Sequence, residues 1–374
     1  MRAIASIAAA ILAMTAAAAA REHLYDCAIA DAADAACRVA ATPDIATVQQ
    51  HLSGTDTAWW RDGDRFIMAA RAKASAMHTC CVFQEDMTRL PGTDFWTLTI
   101  KSPHLDHAII DILVQADGAR ALVRTAVWRG PLAPAQPPSA LVAPNRLKTI
   151  EFDSPNLGEK RKIAVYLPPA FDPSKHYPVI YMADGEGTYA RAGIAEALIA
   201  AGKLPPIIIV GLYAGTGMPL ADSKADRRNL EYLIGLRQGD AYFLKHQAFL
   251  LNEVMPRAEK EFGASRDPSD RILLGQSSGA AWAVDTAMHH PELFRRVIGL
   301  SICWQRSHDW GADKAALFLG GGAFEGCRET TAKAAAAANA AGEPVVFETY
   351  MSGHSPVLWD VLFADGLAWA WGVK

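Results

Sequence analysis

Short runs of β-branched and aromatic residues dominate the chain between residues 57 and 128. Turn-forming pairs such as Asp62-Gly63 and Pro91-Gly92 separate these runs, a pattern that is typical of a small β-sandwich. The preceding residues, from 21 to about 52, have a helical or irregular pattern. The predicted strands are residues 57–60, 65–70, 80–84, 95–100, 108–114 and 122–128.

After residue 146 the pattern changes, and short apolar runs alternate with longer stretches of helical character. This alternation is typical of a mostly parallel sheet with helices on both faces, so we predict the α/β fold class. The predicted strands are residues 163–167, 179–182, 207–212, 272–274, 297–301, 316–319 and 345–350. The predicted helices are residues 190–201, 241–262, 280–289 and 330–341.

A proline-rich segment separates the two patterns. Residues 130–145 contain five prolines and no periodic pattern, and proline cannot donate a hydrogen bond to a sheet. We therefore predict an N-terminal β-sandwich domain at residues 21–130, a linker at residues 131–145 and an α/β domain at residues 146–374.

The first 20 residues have the pattern of an export signal. Arg2 provides the positive start, residues 4–14 form an apolar core, and alanines at residues 16–20 suit a cleavage site. A membrane anchor is the alternative, but the apolar run is shorter than the roughly 20 residues that span a bilayer. We therefore expect a periplasmic or secreted protein without stable membrane insertion.

The charge and the cysteine content indicate which ligands and cross-links to expect. With 36 basic and 40 acidic residues the formal net charge is −4, so nucleic-acid binding is not expected. The six cysteines suit disulfides in an exported chain, and we favour the pairs Cys27–Cys37 and Cys303–Cys327 because a loop can close each span. No C-x-x-C pair is present, so neither a metal site nor a cofactor is expected.

The stretch Gly275-Gln276-Ser277-Ser278-Gly279 lies where a predicted strand turns into a predicted helix. A nucleophile on such a turn has a strained backbone, and glycine two positions before and after it removes a steric clash. We predict Ser277 as an exposed nucleophile and the Ser278 backbone N–H as an oxyanion donor. The alternative is a turn that merely requires small residues.

A nucleophilic serine needs a base and an orienting acid, which in this fold follow the serine along the chain. His354 is the predicted base because it follows the last predicted strand. Glu325 is the predicted acid because it is the first carboxylate after the preceding strand, with Glu329 and Asp360 as alternatives. A second oxyanion donor normally comes from an earlier loop, and the Glu186 N–H after Asp184-Gly185 is the candidate. An ordinary turn is the alternative for that tripeptide.

The order of several motifs resembles the esterase D-like group of α/β-hydrolases, and within it the enterochelin esterases. In the α/β domain these motifs are VYLPPAFDPSKHYPVIYMADGEG, RRNLEYL, GQSSGA, HPELF and GHSPVLW. In the N-terminal domain, MTRLPGTDFWTLTI is similar to a strand of the β-sandwich that precedes the catalytic domain in that group. One departure is His354-Ser355-Pro356, where many relatives have G-G-H-D and the exported siderophore esterases have a similar G-H-x-P.

The resemblance implies an α/β-hydrolase fold with Ser277, His354 and Glu325 as the catalytic set and the Ser278 and Glu186 amides as the oxyanion hole. It also matches Arg228 to a substrate-facing arginine, whose planar charge suits catecholate or carboxylate oxygens. A salt bridge to Glu231 is the alternative role of Arg228. Trp304 is a candidate for stacking on a substrate ring, although tryptophan more commonly packs in a core.

The leading hypothesis is an exported serine esterase that acts on a small-molecule ester, with a catecholate siderophore lactone as the substrate class. A carbohydrate esterase acting on feruloyl or acetyl groups is one alternative. A non-catalytic exported module that binds its ligand on the β-sandwich is another. Transfer of the acyl group to an alcohol instead of water also stays open.

Overall fold

The computed structural model describes residues 24–28, 36–117, 123–217, 226–236, 240–304 and 314–373, with Arg124 described by its backbone alone. The predicted signal peptide at residues 1–20 lies outside the described residues. Within the described ranges, every helix is too short or too polar to span a bilayer.

Among the described residues, two small antiparallel sheets and one α-helix form the N-terminal domain. Their elements are β1 (Cys37–Arg38), α1 (Ile45–His51), β2 (Thr57–Asp62), β3 (Arg65–Arg71), β4 (Met77–Cys81), β5 (Thr88–Arg89), β6 (Phe95–Lys101), β7 (Ile109–Ala116) and β8 (Val123–Arg129). One sheet has the order β1-β6-β3-β2, with β5 also paired to β6, and the other has the order β4-β7-β8. The sheets share one core, in which Phe66 and Ile100 of the first pack with Ile110 and Ile112 of the second. The domain is therefore a β-sandwich.

An eight-stranded sheet with helices on both faces forms the rest of the chain. Its strands are β9 (Leu147–Ser154), β10 (Glu159–Tyr166), β11 (Val179–Ala183), β12 (Ile208–Leu212), β13 (Arg271–Gln276), β14 (Arg296–Leu300), β15 (Ala316–Gly322) and β16 (Val345–Tyr350). Its helices are α2 (Thr188–Ala200), α3 (Arg227–Tyr232), α4 (Ala241–Phe249), α5 (Met255–Phe262), α6 (Ser278–His289), α7 (Arg328–Ala340) and α8 (Pro356–Trp371).

The strand order is β16-β15-β14-β13-β11-β12-β10-β9. The strands from β11 to β16 run parallel to one another, whereas β10 pairs antiparallel with both β12 and β9 at the edge of the sheet. Neighbouring side chains on β13 point to opposite faces, so Leu273 lies in one core and Leu274 in the other. Burial of both faces explains why the central strands are continuously apolar in the sequence. The predicted α/β-hydrolase fold is confirmed by this architecture.

Several elements differ from the sequence predictions. The predicted helix 241–262 is divided into α4 and α5 by a π-helical turn, Leu250–Val254. β4 begins three residues upstream of the predicted strand 80–84, at Met77. The elements α3 and β9 were not predicted, because α3 has only six residues and β9 is a mostly exposed edge strand.

The proline-rich segment contains no strand or helix between Arg129 and Pro144. It does not extend freely into solvent: the Ala140 N–H donates to the Gly193 carbonyl of α2 at 2.9 Å, and Val142 is buried in the adjacent core. The predicted domain boundaries at residues 130 and 146 stay a prediction.

All six cysteines form disulfides, including the predicted pairs Cys27–Cys37 and Cys303–Cys327. The remaining pair joins the adjacent residues Cys80 and Cys81, a bond that was not predicted. The Cys303–Cys327 bond joins the loop after β14 to the start of α7.

Candidate active site

Ser277 lies on the sharp turn between β13 and α6. Its backbone has φ 57° and ψ −129°, in a region that L-amino acids rarely adopt. A Cβ added at Gly275 would lie 1.8 Å from the Gly279 carbonyl oxygen, and one added at Gly279 would lie 2.8 Å from the Ala183 Cβ. The two glycines are therefore required by close packing around the serine, against backbone at Gly275 and against the Ala183 side chain at Gly279.

Hydrogen bonds at both ends hold this turn in place. The Ser277 N–H donates to the Leu300 carbonyl oxygen of β14 at 2.8 Å, and the Ser277 carbonyl accepts from the Ala280 N–H at 3.0 Å. The side chain of Ser277 is half-buried, with its Oγ 4.0 Å from the Cys303 Sγ.

His354 and Glu325 meet at the ends of the neighbouring strands β15 and β16. The His354 Nδ1 lies 2.8 Å from the Glu325 Oε2, and the other carboxylate oxygen, Oε1, accepts the Gly322 N–H at 2.8 Å. Glu325 is buried, and the His354 ring is packed edge-on against Trp359, with ring centroids 4.9 Å apart. This arrangement orients an imidazole with a carboxylate, as a general base requires.

The serine and the imidazole are neighbours of the same sulfur atom. The Cys303 Sγ is 4.0 Å from the Ser277 Oγ and 3.9 Å from the His354 Nδ1. Among the described residues, Ser277 and His354 share no direct hydrogen bond. Such bonds are often long without substrate and shorten during the reaction.

Cys303, Cys327 and His354 have donor atoms within 4.8 Å of one another, which is close enough to surround a metal ion. The two sulfurs are joined in a disulfide, however, and a metal binds the thiolate form of cysteine. Only the imidazole is left as a ligand, so this group does not fit a metal site.

The two candidate oxyanion donors come from different elements. Ser278 is the first residue of α6, and Glu186 lies in the one-turn 3₁₀-helix Gly185–Gly187 after β11. Asp184 begins that turn in the left-handed region, with φ 56°. Within the described part of the chain, neither the Ser278 N–H nor the Glu186 N–H donates to an acceptor, so each is available to a ligand.

Arg228 binds Asp184 and not Glu231. Its Nε and one terminal nitrogen donate to the two Asp184 carboxylate oxygens at 2.6 and 2.8 Å, which is a bidentate pair. Although burial disfavours the charge, these bonds raise the pKa of Arg228 above its ordinary value. The predicted alternative of a salt bridge to Glu231 is wrong, because Glu231 binds Arg161 and Arg227.

Trp304 and the two alternative acids have other contacts. The Trp304 Nε1 donates to the Ile234 carbonyl at 3.1 Å, and its partly buried ring packs against the core of the α/β domain. Glu329 is paired with Lys333 at 3.2 Å on the surface of α7. Asp360 is paired with the buried Arg191. The structure thus brings Glu325, and neither alternative, to His354.

Sequence reasoning missed the residues that support the site. The Tyr232 hydroxyl accepts the Asp184 N–H at 2.9 Å, and the Asn229 side chain accepts the Ser278 hydroxyl at 2.6 Å. Helix α3 therefore contacts both segments that carry the candidate oxyanion donors. Arg191 donates to the Gln276 side chain at 3.0 Å, next to the serine. The RRNLEYL motif contains two of these residues, but their partners are distant in sequence, so no local pattern identifies them.

Part of the chain is similar in sequence to known proteins. Residues 154–324 match the family described as "Putative esterase". The uncharacterized protein YjcH of Bacillus subtilis is 29% identical over 151 residues, which cover 40% of this chain and 58% of YjcH. The iron(III) enterobactin esterase of Dickeya dadantii is 28% identical over 167 residues, which cover 44% of this chain and 34% of that protein. The aligned regions thus span less than two thirds of these relatives.

A solved structure is similar over most of the chain. The enterobactin esterase FES of Shigella flexneri, crystallised in the presence of enterobactin, has a TM-score of 0.63 and covers 86% of this chain and 97% of its own. At 17% sequence identity this similarity concerns the fold, which includes the N-terminal β-sandwich region as well as the α/β domain.

The fold and the strained serine turn define an α/β-hydrolase. Residues 154–324, which are less than half of the chain, are similar to that esterase family, and the fold is similar to that of an enterobactin esterase. The predicted resemblance to esterases is confirmed over residues 154–324.

Proposed function

We propose that this protein is an exported serine esterase whose catalytic triad is Ser277, His354 and Glu325. The observation that carries the proposal is the 2.8 Å contact between His354 and the buried Glu325, beside a serine on a strained strand-to-helix turn. An oriented imidazole next to a strained, accessible hydroxyl is the arrangement that activates serine for acyl transfer.

The reaction follows from these positions. Ser277 Oγ attacks the ester carbonyl carbon while His354 Nε2 takes its proton, and Glu325 stabilises the imidazolium through Nδ1–H. The N–H groups of Ser278 and Glu186 stabilise the negative carbonyl oxygen. The C–O bond to the alcohol then breaks, and the alcohol leaves with the proton from His354. A water molecule then attacks the carbonyl carbon of the acyl-enzyme, with His354 again as the base. This step releases the acid and restores Ser277.

The substrate class that we propose is a catecholate siderophore lactone. Arg228 supports this class, because its side chain is 30% exposed and one terminal nitrogen has no hydrogen-bond partner among the described residues. A fixed guanidinium with a free N–H can bind catecholate oxygens, and we propose Trp304 as a neighbouring wall for an aromatic ring. The names of the relatives from Dickeya dadantii and Shigella flexneri support the same class.

Export is supported by the N-terminal sequence pattern and by the disulfides. All six cysteines are paired, which suits an oxidising compartment such as the periplasm or the extracellular space. We therefore propose that the esterase acts outside the cytoplasm.

Hydrolysis of p-nitrophenyl acetate tests the esterase proposal. Wild-type protein should release p-nitrophenol, and Ser277→Ala should lower kcat by about 10⁴-fold or more because the nucleophile is lost. Ser174→Ala is the matched control, since it removes an exposed hydroxyl outside the site and should leave kcat unchanged. Equal activity of Ser277→Ala and wild type would contradict the proposal.

The substrate class is tested by a direct comparison of two esters. The proposal predicts a higher kcat/KM for a ferric triscatecholate lactone than for a feruloylated sugar. The reverse preference would favour the carbohydrate esterase instead, and tight binding of both esters without turnover would favour the non-catalytic module.

A further inference from the structure

Residues 351–355 form the turn that carries His354, and this His354 turn lies directly against the β-sandwich. The Ile109 N–H of β7 donates to the Met351 carbonyl at 2.8 Å, and the Ser352 hydroxyl donates to the Ile109 carbonyl at 2.8 Å. Ser352 and Ile109 are fully buried. One residue of β7 therefore holds the beginning of the His354 turn by both of its backbone polar groups.

A carboxylate of the sandwich holds the end of the same turn. The Ser355 hydroxyl donates to the Asp111 Oδ2 at 3.1 Å, and Asp111 and Ser355 are both buried. The Ser355 Oγ also accepts the Val357 N–H at 3.2 Å and so caps α8. The residue that immediately follows the candidate base is thus fixed between β7 and the first turn of α8.

Gly353, in the middle of the His354 turn, packs directly against the sandwich. A Cβ added at Gly353 would lie 2.0 Å from the Val82 carbonyl oxygen. Phe83, which follows Val82, packs against Phe324 with ring centroids 5.3 Å apart, and Phe324 precedes Glu325. The sandwich therefore contacts the segments that carry both the base and the acid of the proposed triad.

We propose that the β-sandwich is part of the catalytic unit, and that Asp111 and Ser355 are positioning residues that hold the His354 imidazole against Glu325. This inference rests on the proposed esterase function. The imidazole must keep both its orientation to the carboxylate and its approach to Ser277, and a displacement of about 1 Å in such a site lowers the rate by about 10²-fold.

The experiment measures kcat and KM for p-nitrophenyl acetate in full-length variants. Asp111→Ala removes the acceptor of the Ser355 hydroxyl and should lower kcat by about tenfold, with KM changed by less than about twofold because both residues are buried. Ser355→Ala should have a similar effect. Asp111→Asn keeps an oxygen in the same place and should retain kcat within about threefold of wild type.

Thr125→Val is the matched control. It removes a hydroxyl that also donates to a β7 carbonyl, that of Ile112 at 3.0 Å, and among the described residues no hydrogen bond joins Thr125 to the His354 turn. Its kcat should equal that of wild type. Thermal melting of each variant, recorded alongside, confirms that the assay temperature lies below unfolding.

The outcomes separate the two proposals. An inactive wild type would overturn the esterase function itself. An active wild type with Asp111→Ala and Ser355→Ala both within twofold of its kcat would overturn only the positioning role. Equal losses in Thr125→Val and Asp111→Ala, or no recovery in Asp111→Asn, would also overturn it. If Asp111→Ala does not fold, Ser355→Ala and Asp111→Asn decide the question.

Discussion

Glu325 has the surroundings of an orienting acid. Its two oxygens are used separately, one for His354 and the other for the Gly322 N–H, so the carboxylate is fixed in one orientation. Glu329, four residues later, is exposed and paired with Lys333. The chain thus offers a matched pair of glutamates, one in the proposed triad and one outside it.

We predict that Glu325→Gln lowers kcat for p-nitrophenyl acetate by about 10²–10⁴-fold, because the amide cannot stabilise the imidazolium and favours the wrong tautomer of His354. The same substitution at Glu329 should leave kcat unchanged. A comparison of the two variants with wild type under identical conditions is the measurement. A larger loss in Glu329→Gln than in Glu325→Gln would assign the acid to Glu329.

Residue patterns predicted the candidate site but not the side chains that surround it. Ser277, His354 and Glu325 are the candidates because each follows a strand, and the ends of parallel strands meet at one edge of a sheet. The pairing of Arg228 with Asp184 was missed, because those residues lie 44 positions apart and no local signal connects them. The position of Cys303 beside the serine was missed for the same reason.

At the scale of elements, the turn between β13 and α6 depends on two small residues. Gly275 lies at the end of the strand and faces the backbone of Gly279 in the first turn of the helix. Any side chain at Gly275 must displace that backbone and with it the strained Ser277. Stability and activity therefore depend on the same packing.

We expect Gly275→Ala to destabilise the protein by about 3 kcal/mol or more, at the upper end of the range for overpacking, because its Cβ would overlap the Gly279 carbonyl. Gly187→Ala is the control, since the nearest atom to its Cβ would be the Met182 Cε at an ordinary 3.4 Å. Thermal or urea unfolding measures both. A Gly275→Ala variant as stable as Gly187→Ala would show that the turn is not tightly packed.

Long and continuously buried elements were predicted well from the sequence. The strands β11 to β15 are largely buried on both faces, and the pattern located each to within a few residues. Elements whose stability comes from contacts distant in sequence were missed. The six-residue α3 is held by its ion pairs, and β9 is held by pairing with β10 along its whole length.

At the scale of the whole molecule, a buried histidine links stability to pH. His246 is fully buried between the rings of Tyr232 and Trp282, and burial lowers its pKa to about 4, with Glu231 opposing the shift. In the unfolded chain its pKa is near 6.5, so between pH 6.5 and 4 the unfolded state binds the additional proton. The contribution of the neutral His246 to the free energy of unfolding is therefore complete above pH 6.5 and is lost as the pH falls towards 4.

The predicted consequence is a loss of about 3 kcal/mol of unfolding free energy from this group between pH 6.5 and 4. His246→Phe should remove that part of the pH dependence, whereas the same substitution at the exposed His176 should keep it. Urea unfolding at a series of pH values measures the difference between the variants. Identical slopes for His246→Phe and His176→Phe would contradict the assignment.

The contact between the two domains could not be predicted from the sequence. The proline-rich break suggested two independent domains, yet the His354 turn is hydrogen-bonded to β7 of the sandwich. These bonds join residues more than 200 positions apart, and they use buried serines that have no distinctive sequence signal. The candidate site is therefore a property of the whole fold.

Covalent labelling of Ser277 tests the central claim most directly. Diisopropyl fluorophosphate reacts with a serine that a neighbouring base activates, and peptide mass spectrometry identifies the modified residue. The account predicts one adduct on Ser277 in wild type, a much slower reaction in His354→Ala and none at that position in Ser277→Ala. An unmodified Ser277 in the wild-type protein, under conditions that label a control serine hydrolase completely, would contradict it.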